Sequence, residues 1–193
     1  NILRERFIAG DYDYFLSLEQ DVIPPPDVIE RLLRHHKEIV SAIYFGLIRT
    51  TEKKEVYIPH IYRWPTEEEK HYAKEQFEKI KKNLRNETVA YLEKKGKDIS
   101  DLEIPCTADE VHEKKLMRIK MCGLGCVLIH RDVLKNIKFR YEQHTKGFDD
   151  YYFCLDARKE GFSLYADTSL WCRHLIKQRP WQWENLLRKQ HEK

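Results

Sequence analysis

No apolar run in the 193 residues approaches the roughly 18 to 20 that a membrane-spanning helix needs, and no charged-then-apolar leader opens the chain. The expectation is a soluble protein, with attachment to a membrane surface left open. A strong charge of one sign is missing too. Charged residues make up 35% of the chain, but 35 basic residues stand against 32 acidic ones, a formal charge of +3, which argues against a nucleic-acid partner. There is no internal repeat and no low-complexity tract, and at this length one domain with a sizeable core is the default.

CxxC pairs are lacking as well. The five cysteines, at 106, 122, 126, 154 and 172, are odd in number and cannot all pair within the chain, so a reduced, cytosolic setting is expected. Cys122 and Cys126 are the closest two, yet zinc takes about four ligands, and no second pair at matching spacing exists. They read as small buried side chains. The chain begins at Asn1 and not at methionine, which leaves open an upstream segment.

What is present is an ordered alternation of strands and helices. "ILRERFIAG" has a helical apolar stripe stopped by Gly10, and "YDYFLSL" is a strand ending at Leu18. Behind it come Glu19 and Asp21, then Pro24, Pro25 and Pro26. The prolines fix their own φ and bias their neighbours toward extended backbone, so the chain leaves the strand as a stiff elbow before a helix over "DVIERLLRHH". Two β-rich runs follow, "IVSAIYFGLI" and "EVYIPHIYRW". A charged helical insert at about 66–95 then opens on a Thr66/Glu69 capping box, with an apolar stripe at 73, 77, 80 and 84.

After a polar linker, "LMRIKMCGLGCVLIHRDVLKNIKF" predicts strand, Gly-x-Gly turn, strand and short helix. "FDDYYFCLDARKEGFSLYADTSLWCRHL" predicts an acid pair opening a helix that Gly161 closes, then two strands leading to His174. A helical tail is expected from about 178 to 193, with Trp181 and Trp183 either packed on the body or facing an acceptor or membrane surface. The alternation argues for a single α/β domain, an αβα sandwich around a mostly parallel mixed sheet, with ligands at the carboxyl ends of its strands.

Three groups of residues could carry chemistry, and each also has a plain structural explanation. Glu19 and Asp21 raise one another's pKa and so favour a hard divalent cation, or they are simply solvated at a strand end while Asp27 caps the next helix. Asp149 and Asp150 cap a helix, or one of them faces a cleft as a base. His174 is a ligand, or an ordinary hydrogen-bonded histidine.

Taken in order, these segments resemble the nucleotide-sugar glycosyltransferases with the A-type (GT-A) fold, above all the large inverting family 2. "FLSLEQDVIPPPDVIERLL" is similar to that family's Asp-x-Asp segment, and "GLGCVLIHRDVLKNIKF…FDDYYFCLDARKEGFSLYADTSLWCRH" to its second half. The resemblance implies a metal-dependent transferase. Asp21 and His174 would hold Mn²⁺ or Mg²⁺ and through it the diphosphate of a nucleotide sugar, with Glu19 near the ribose or metal. Gly123 and Gly125 would let backbone approach the donor. Asp150 would be the general base, and Asp149 would orient a glycan, lipid or protein acceptor. Glu19 stands where the family most often has aspartate, and the family's first strand and base-binding acid lie upstream of the segments found here. The alternatives are a two-carboxylate glycoside hydrolase, or a catalytically silent binding or scaffolding domain on the same fold.

Overall fold

In the computed structural model, residues 1–49, 54–81, 102–113, 115–142, 148–176 and 179–181 are described. The chain runs α1 (Ile2–Ala9), β1 (Tyr14–Leu18), β2 (Val22–Ile23), α2 (Val28–Leu33), β3 (Ile39–Ile43), β4 (Phe45–Arg49), β5 (Glu55–Pro59) and β6 (Ile61–Arg63). It continues with α3 (Glu67–Lys81), β7 (Ile104–Pro105), α4 (Ala108–His112), β8 (Leu116–Ile119), β9 (Met121–Cys122) and β10 (Cys126–His130). The last elements are α5 (Arg131–Asn136), α6 (Asp149–Lys159), β11 (Leu164–Trp171), β12 (Arg173–Ile176) and β13 (Arg179–Trp181).

Two compact units divide the chain: Asn1–Tyr62 with Pro105–Lys193, and Arg63–Ile104. In the second, the expected capping box at the start of α3 is formed. Thr66 N–H donates to Glu69 and Glu69 N–H donates to the Thr66 hydroxyl, while Arg63 grips the same carboxylate and holds its pKa down to about 2. The remainder of the expected 66–95 insert, from 82 on, lies outside the described residues.

The first unit is built on a five-stranded sheet of order β1-β10-β3-β11-β8. It is mixed, as expected, but three of its four pairings are antiparallel, which corrects the mostly parallel arrangement expected from the strand–helix alternation. Only β3 and β11 pair in parallel; β1–β10, β10–β3 and β11–β8 are antiparallel. Alternation says nothing about which strand inserts between two others, and here β10 returns between β1 and β3. Because β10 is antiparallel to both, β1, β3 and β11 point the same way. Their carboxyl ends share one end of the sheet, and the amino end of β10 joins them there through the Leu18↔Cys126 pairing.

The central strands β3 and β10 are buried almost throughout, and their side chains alternate between two covered faces. Ile39, Ile43, Val127 and Ile129 turn to one face, where Phe7, Val133, Leu134, Phe153 and Ala157 cover them. Val40, Ala42, Cys126 and Leu128 turn to the other, against Val28 and Leu32 of α2. All five cysteines are buried free thiols, as expected of small core residues. Arg131 secures the end of α1: its guanidinium donates to the carbonyls of Ile8 and Gly10, which a helix end otherwise leaves unsatisfied, and to that of Tyr12 in the loop beyond.

Beyond α2 the chain turns through His36, a non-glycine residue at φ 48°. His36→Gly is expected to stabilise the fold by about 0.5–1 kcal/mol by removing the Cβ clash of the left-handed conformation, less the added chain entropy. Urea unfolding of the two proteins measures it. Asp27 sits at the N-cap of α2 without a side-chain capping bond. The expected C-terminal helix is strand over Arg179–Trp181, paired to β12, and the rest of that tail lies outside the described residues. No helix among the described residues is long and apolar enough to cross a membrane.

Candidate functional site

Strand β1 ends at Leu18, and the next residues are clamped at once. Glu19 N–H donates to Gly125 O (3.1 Å), Val22 N–H to Glu19 O (3.2 Å), and Leu175 N–H to Asp21 O (2.8 Å). The Glu19–Asp21 turn is therefore stitched to the amino side of β10 and to β12 before the prolines carry the chain away. Strand β12 pairs with β2 at His174↔Val22, which sets His174 over the turn.

His174 is held in one orientation. Its Nδ1 lies 2.7 Å from the Phe45 carbonyl, which can only accept, so Nδ1 is the donor. Nε2 then faces Asp21 Oδ2 at 3.4 Å. In the neutral ring both of these atoms are acceptors, and a cation or a proton between them is what such a pair calls for. A backbone carbonyl holding one ring nitrogen while the other points outward is also how metal-ligating histidines are oriented. Asp21 and His174 thus fit as one oxygen and one nitrogen ligand. Among the described residues, no group of three or more His, Cys, Asp or Glu side chains is placed to hold a metal ion. The remaining positions would fall to water and phosphate oxygens, as is usual for Mg²⁺.

Asp149 and Asp150 open α6, whose N-cap is Phe148 and not an acid. Each carboxylate accepts the backbone N–H that follows it, Asp150 N–H on Asp149 (3.1 Å) and Tyr151 N–H on Asp150 (2.7 Å). Burial pushes the Asp150 carboxyl above the usual range, against the pull of the Tyr151 N–H and of His60, while Asp149 adds to the rise. Glu19 is raised as well, first by partial burial, then by Asp21, with Asp150 and Asp149 contributing and His174 opposing. Residues up to 155 positions apart thus come near one another: Asp21 lies 3.4 Å from His174, and Glu19 and Asp149 line one cavity.

At Gly123 and Gly125, expected to let backbone approach a donor, the place of a Cβ is taken by neighbouring side chains. A Cβ on Gly123 would lie 2.0 Å from the Tyr44 hydroxyl and 2.2 Å from His60 Nδ1, and one on Gly125 would lie 2.6 Å from the Tyr44 ring. On that side the absence of a Cβ makes room for Tyr44 and His60. Tyr44 is 3% exposed and its ring packs edge-on against His174, with centroids 5.3 Å apart. Its hydroxyl accepts from Gly125 N–H (3.2 Å) and meets His60 Nδ1 at 2.9 Å. Burial, then Glu19, pushes the phenol pKa upward, so Tyr44 stays neutral.

Tyr44, His60 and Tyr62 are the site residues that sequence reasoning missed. They lie in aromatic β-rich runs whose composition serves a core equally well, and no spacing marks them. Beside the acids, a cavity of about 370 Å³ is lined by Phe15, Ser17, Glu19, Leu124, Phe139 and Asp149 together with the first residues of α1. Its lining joins apolar Phe15, Leu124 and Phe139 to the acids Glu19 and Asp149 and to Arg4.

No family model matches the chain, and no curated protein matches it. Among solved structures it is similar to a crystal structure of A197 from STIV, at 20% identity and a TM-score of 0.47. That match covers 92% of this chain and 66% of the viral one, so the chain spans less than two thirds of the protein it resembles. The resemblance to family 2 glycosyltransferases drawn from the sequence is not upheld. No family model recognises the chain, and the sheet is mixed with mainly antiparallel pairings where that resemblance implied a mostly parallel one. Glycine-x-glycine before a strand, an acid pair opening a helix and a histidine on a late strand are each too common to define a family by order alone.

Proposed function

We propose that this chain is a metal-dependent glycosyltransferase, moving a sugar from a nucleotide-sugar donor to a hydroxyl of a glycan, lipid or protein. The observation that carries it is chemical: an oriented Asp21–His174 pair and a desolvated Asp150 act within one acidic cluster at the carboxyl ends of co-directed strands. Asp21 and His174 would hold Mn²⁺ or Mg²⁺, with diphosphate oxygens completing the shell and Glu19 beside them. Bound there, the ion supplies positive charge against that building on the leaving diphosphate.

Asp150 has the character of a general base, since desolvation brings its pKa closer to neutrality, where proton transfer is most effective. It takes the proton of the acceptor hydroxyl as that oxygen forms its bond to the anomeric carbon and the bond to the diphosphate breaks. Attack comes from the face opposite the leaving group, so the anomeric centre inverts. Asp149, whose carboxylate braces the Asp150 N–H, keeps the first turn of α6 in place.

Asp21→Ala tests the metal role. It is expected to abolish Mn²⁺-dependent binding of uridine- and guanosine-diphosphate sugars in a calorimetric titration. Its Tm should move by no more than about 2 °C, because the side chain is half exposed and the backbone carbonyl that receives Leu175 remains. Equal affinity in mutant and parent would refute it. A catalytically silent binding domain is the second reading, favoured by the absence of a third protein ligand among the described residues. Release of nucleotide from a labelled sugar nucleotide with Mn²⁺ separates the two.

A further inference from the structure

Strand β1 bounds the five-stranded sheet, and its backbone is satisfied on one side only. Two bonds at its ends set the parity: Glu19 N–H donates to Gly125 O and Arg131 N–H to Asp13 O, both in register with the β1–β10 ladder. In an antiparallel pair such bonds recur at every second residue. Phe15 and Ser17 therefore turn their backbone groups to β10, and Tyr14, Leu16 and Leu18 turn theirs away from the sheet. Among the described residues, nothing hydrogen-bonds to the outward N–H and C=O groups of these three. Natural sheet edges are blunted by a charge, a proline or a bulge. The strand "YFLSL" carries none of these, and its pairing with β10 runs without a break.

Both faces beside this edge are hollow. On one, the cavity of about 370 Å³ is lined by Phe15, Ser17, Leu124 and Phe139 and by the exposed Ile2 and Leu3 of α1. On the other, a second cavity of about 440 Å³ is lined by Tyr14, Leu16, Leu128 and Leu33 and by the exposed Ile29 of α2. The side chains of β1 divide between the two cavities by the alternation of a strand, odd positions to the first and even positions to the second. An extended chain laid against β1 would satisfy the outward backbone groups and send its own side chains into the two hollows in turn. A compact ligand would occupy one side of the strand and leave that backbone unpaired.

Charge defines the ends of the occupant. Asp11 and Asp13 are the charged residues lining the second cavity. Glu19 and Asp149 line the first together with Arg4, whose guanidinium is already bonded to the carbonyls of Ile137 and Lys135. A second copy of this chain fits poorly. Two β1 strands paired antiparallel about Leu16 would set Asp13 opposite the partner's Glu19 and Asp11 opposite the partner's Asp21, and like charges opposed across a ladder are destabilising. We infer that the outer edge of β1 docks an extended segment of another protein, apolar on both faces over a stretch matching the 5 residues of β1 and flanked by lysine or arginine. Such docking does not depend on sugar transfer.

The test is amide hydrogen exchange of the full chain, alone and with a synthetic peptide of alternating valine and isoleucine that carries lysines at both ends. In the free protein the Tyr14, Leu16 and Leu18 amides should exchange at least about tenfold faster than those of Phe15 and Ser17, and peptide at about 1 mM should slow the first three by about tenfold. The same peptide ended in glutamates should bind about tenfold more weakly. N-methylation of the peptide's amides at one parity should abolish binding, while methylation at the other parity leaves it. Leu16→Pro removes an outward N–H at an edge position where proline is tolerated, so its Tm should fall by no more than a few degrees while peptide binding weakens about tenfold. Should that variant fail to fold, the two methylated peptides decide on the parent. Equal binding of both would mean apolar contact without strand pairing and refute the docking, as would no slowing at all. Tyr14, Leu16 and Leu18 amides already protected in the free monomer would show that the protein's own chain covers the edge. Protection that appears only with dimerisation in sedimentation would give the edge to a second copy, and either result overturns a foreign partner.

Discussion

Asp150→Asn is expected to lower sugar transfer by about 10²–10⁴-fold, the range that a positioned general base contributes, while the protein keeps or gains stability at neutral pH. The two effects have one origin. Burial raises the Asp150 pKa in the folded chain above its unfolded value, so the folded state holds the proton more tightly. Stability then falls as pH rises from the ordinary carboxylate range through the raised value, because ionisation is less favourable in the fold than in the unfolded chain. Asparagine cannot ionise, and its carbonyl can still accept the Tyr151 N–H. The mutant should therefore lose the downward slope of stability with pH that the parent shows there. Transfer rates over pH and thermal melts at pH 4 to 8 check both limbs. A mutant with full activity would exclude Asp150 as the base, and one that melts well below the parent at pH 7 would contradict the desolvation.

Gly123→Ala is expected to destabilise the fold by about 1–3 kcal/mol, as overpacking of a filled site does. The added methyl would stand 2.0 Å from the Tyr44 hydroxyl and 2.2 Å from His60 Nδ1. Neither can step aside, since Tyr44 is buried and bonded to Gly125 and its ring supports His174. Damage should reach the Asp21–His174 pair through that ring, so Mn²⁺-dependent donor binding should weaken in the same mutant. Gly46→Ala is the control, because its Cβ would meet the His60 ring at an ordinary 3.4 Å. Denaturant unfolding of the three proteins measures the difference; equal midpoints for Gly123→Ala and the parent would show that Tyr44 and His60 are not locked over the glycine.

Much of the local structure was legible because its causes are local. The stop of α1 at Gly10, the strand up to Leu18, the Thr66/Glu69 box and the acid pair opening α6 each follow from side chains within a turn or two of one another. The apolar stripe expected for α1, in contrast, is not a buried face, since Ile2 and Leu3 are exposed. The acids at 19, 21, 149 and 150 and His174 were legible as chemistry-bearing residues. Their convergence was an expectation; the structure sets Asp21 3.4 Å from His174 and lines one cavity with Glu19 and Asp149. That Tyr44 and His60 stand over the two glycines was not legible, because Gly-x-Gly looks the same whether it admits a ligand or a neighbouring side chain. Tyr44 and His60 escaped because a buried phenol and imidazole matter here through what stands opposite them, 79 and 63 residues away at Gly123, and nothing in their own neighbourhood says so.

By itself the amino-acid order determined most of the main helices and strands and which few acids and histidines are spare for chemistry, since backbone geometry and side-chain periodicity act over a handful of residues; it did not foretell the strand at Arg179–Trp181. Tertiary structure alone decided that β10 slots antiparallel between β1 and β3, that Asp21 meets His174, and that Tyr44 and His60 lie over two glycines. Those contacts join residues tens to more than a hundred positions apart, and their free energy depends on how whole faces pack against one another.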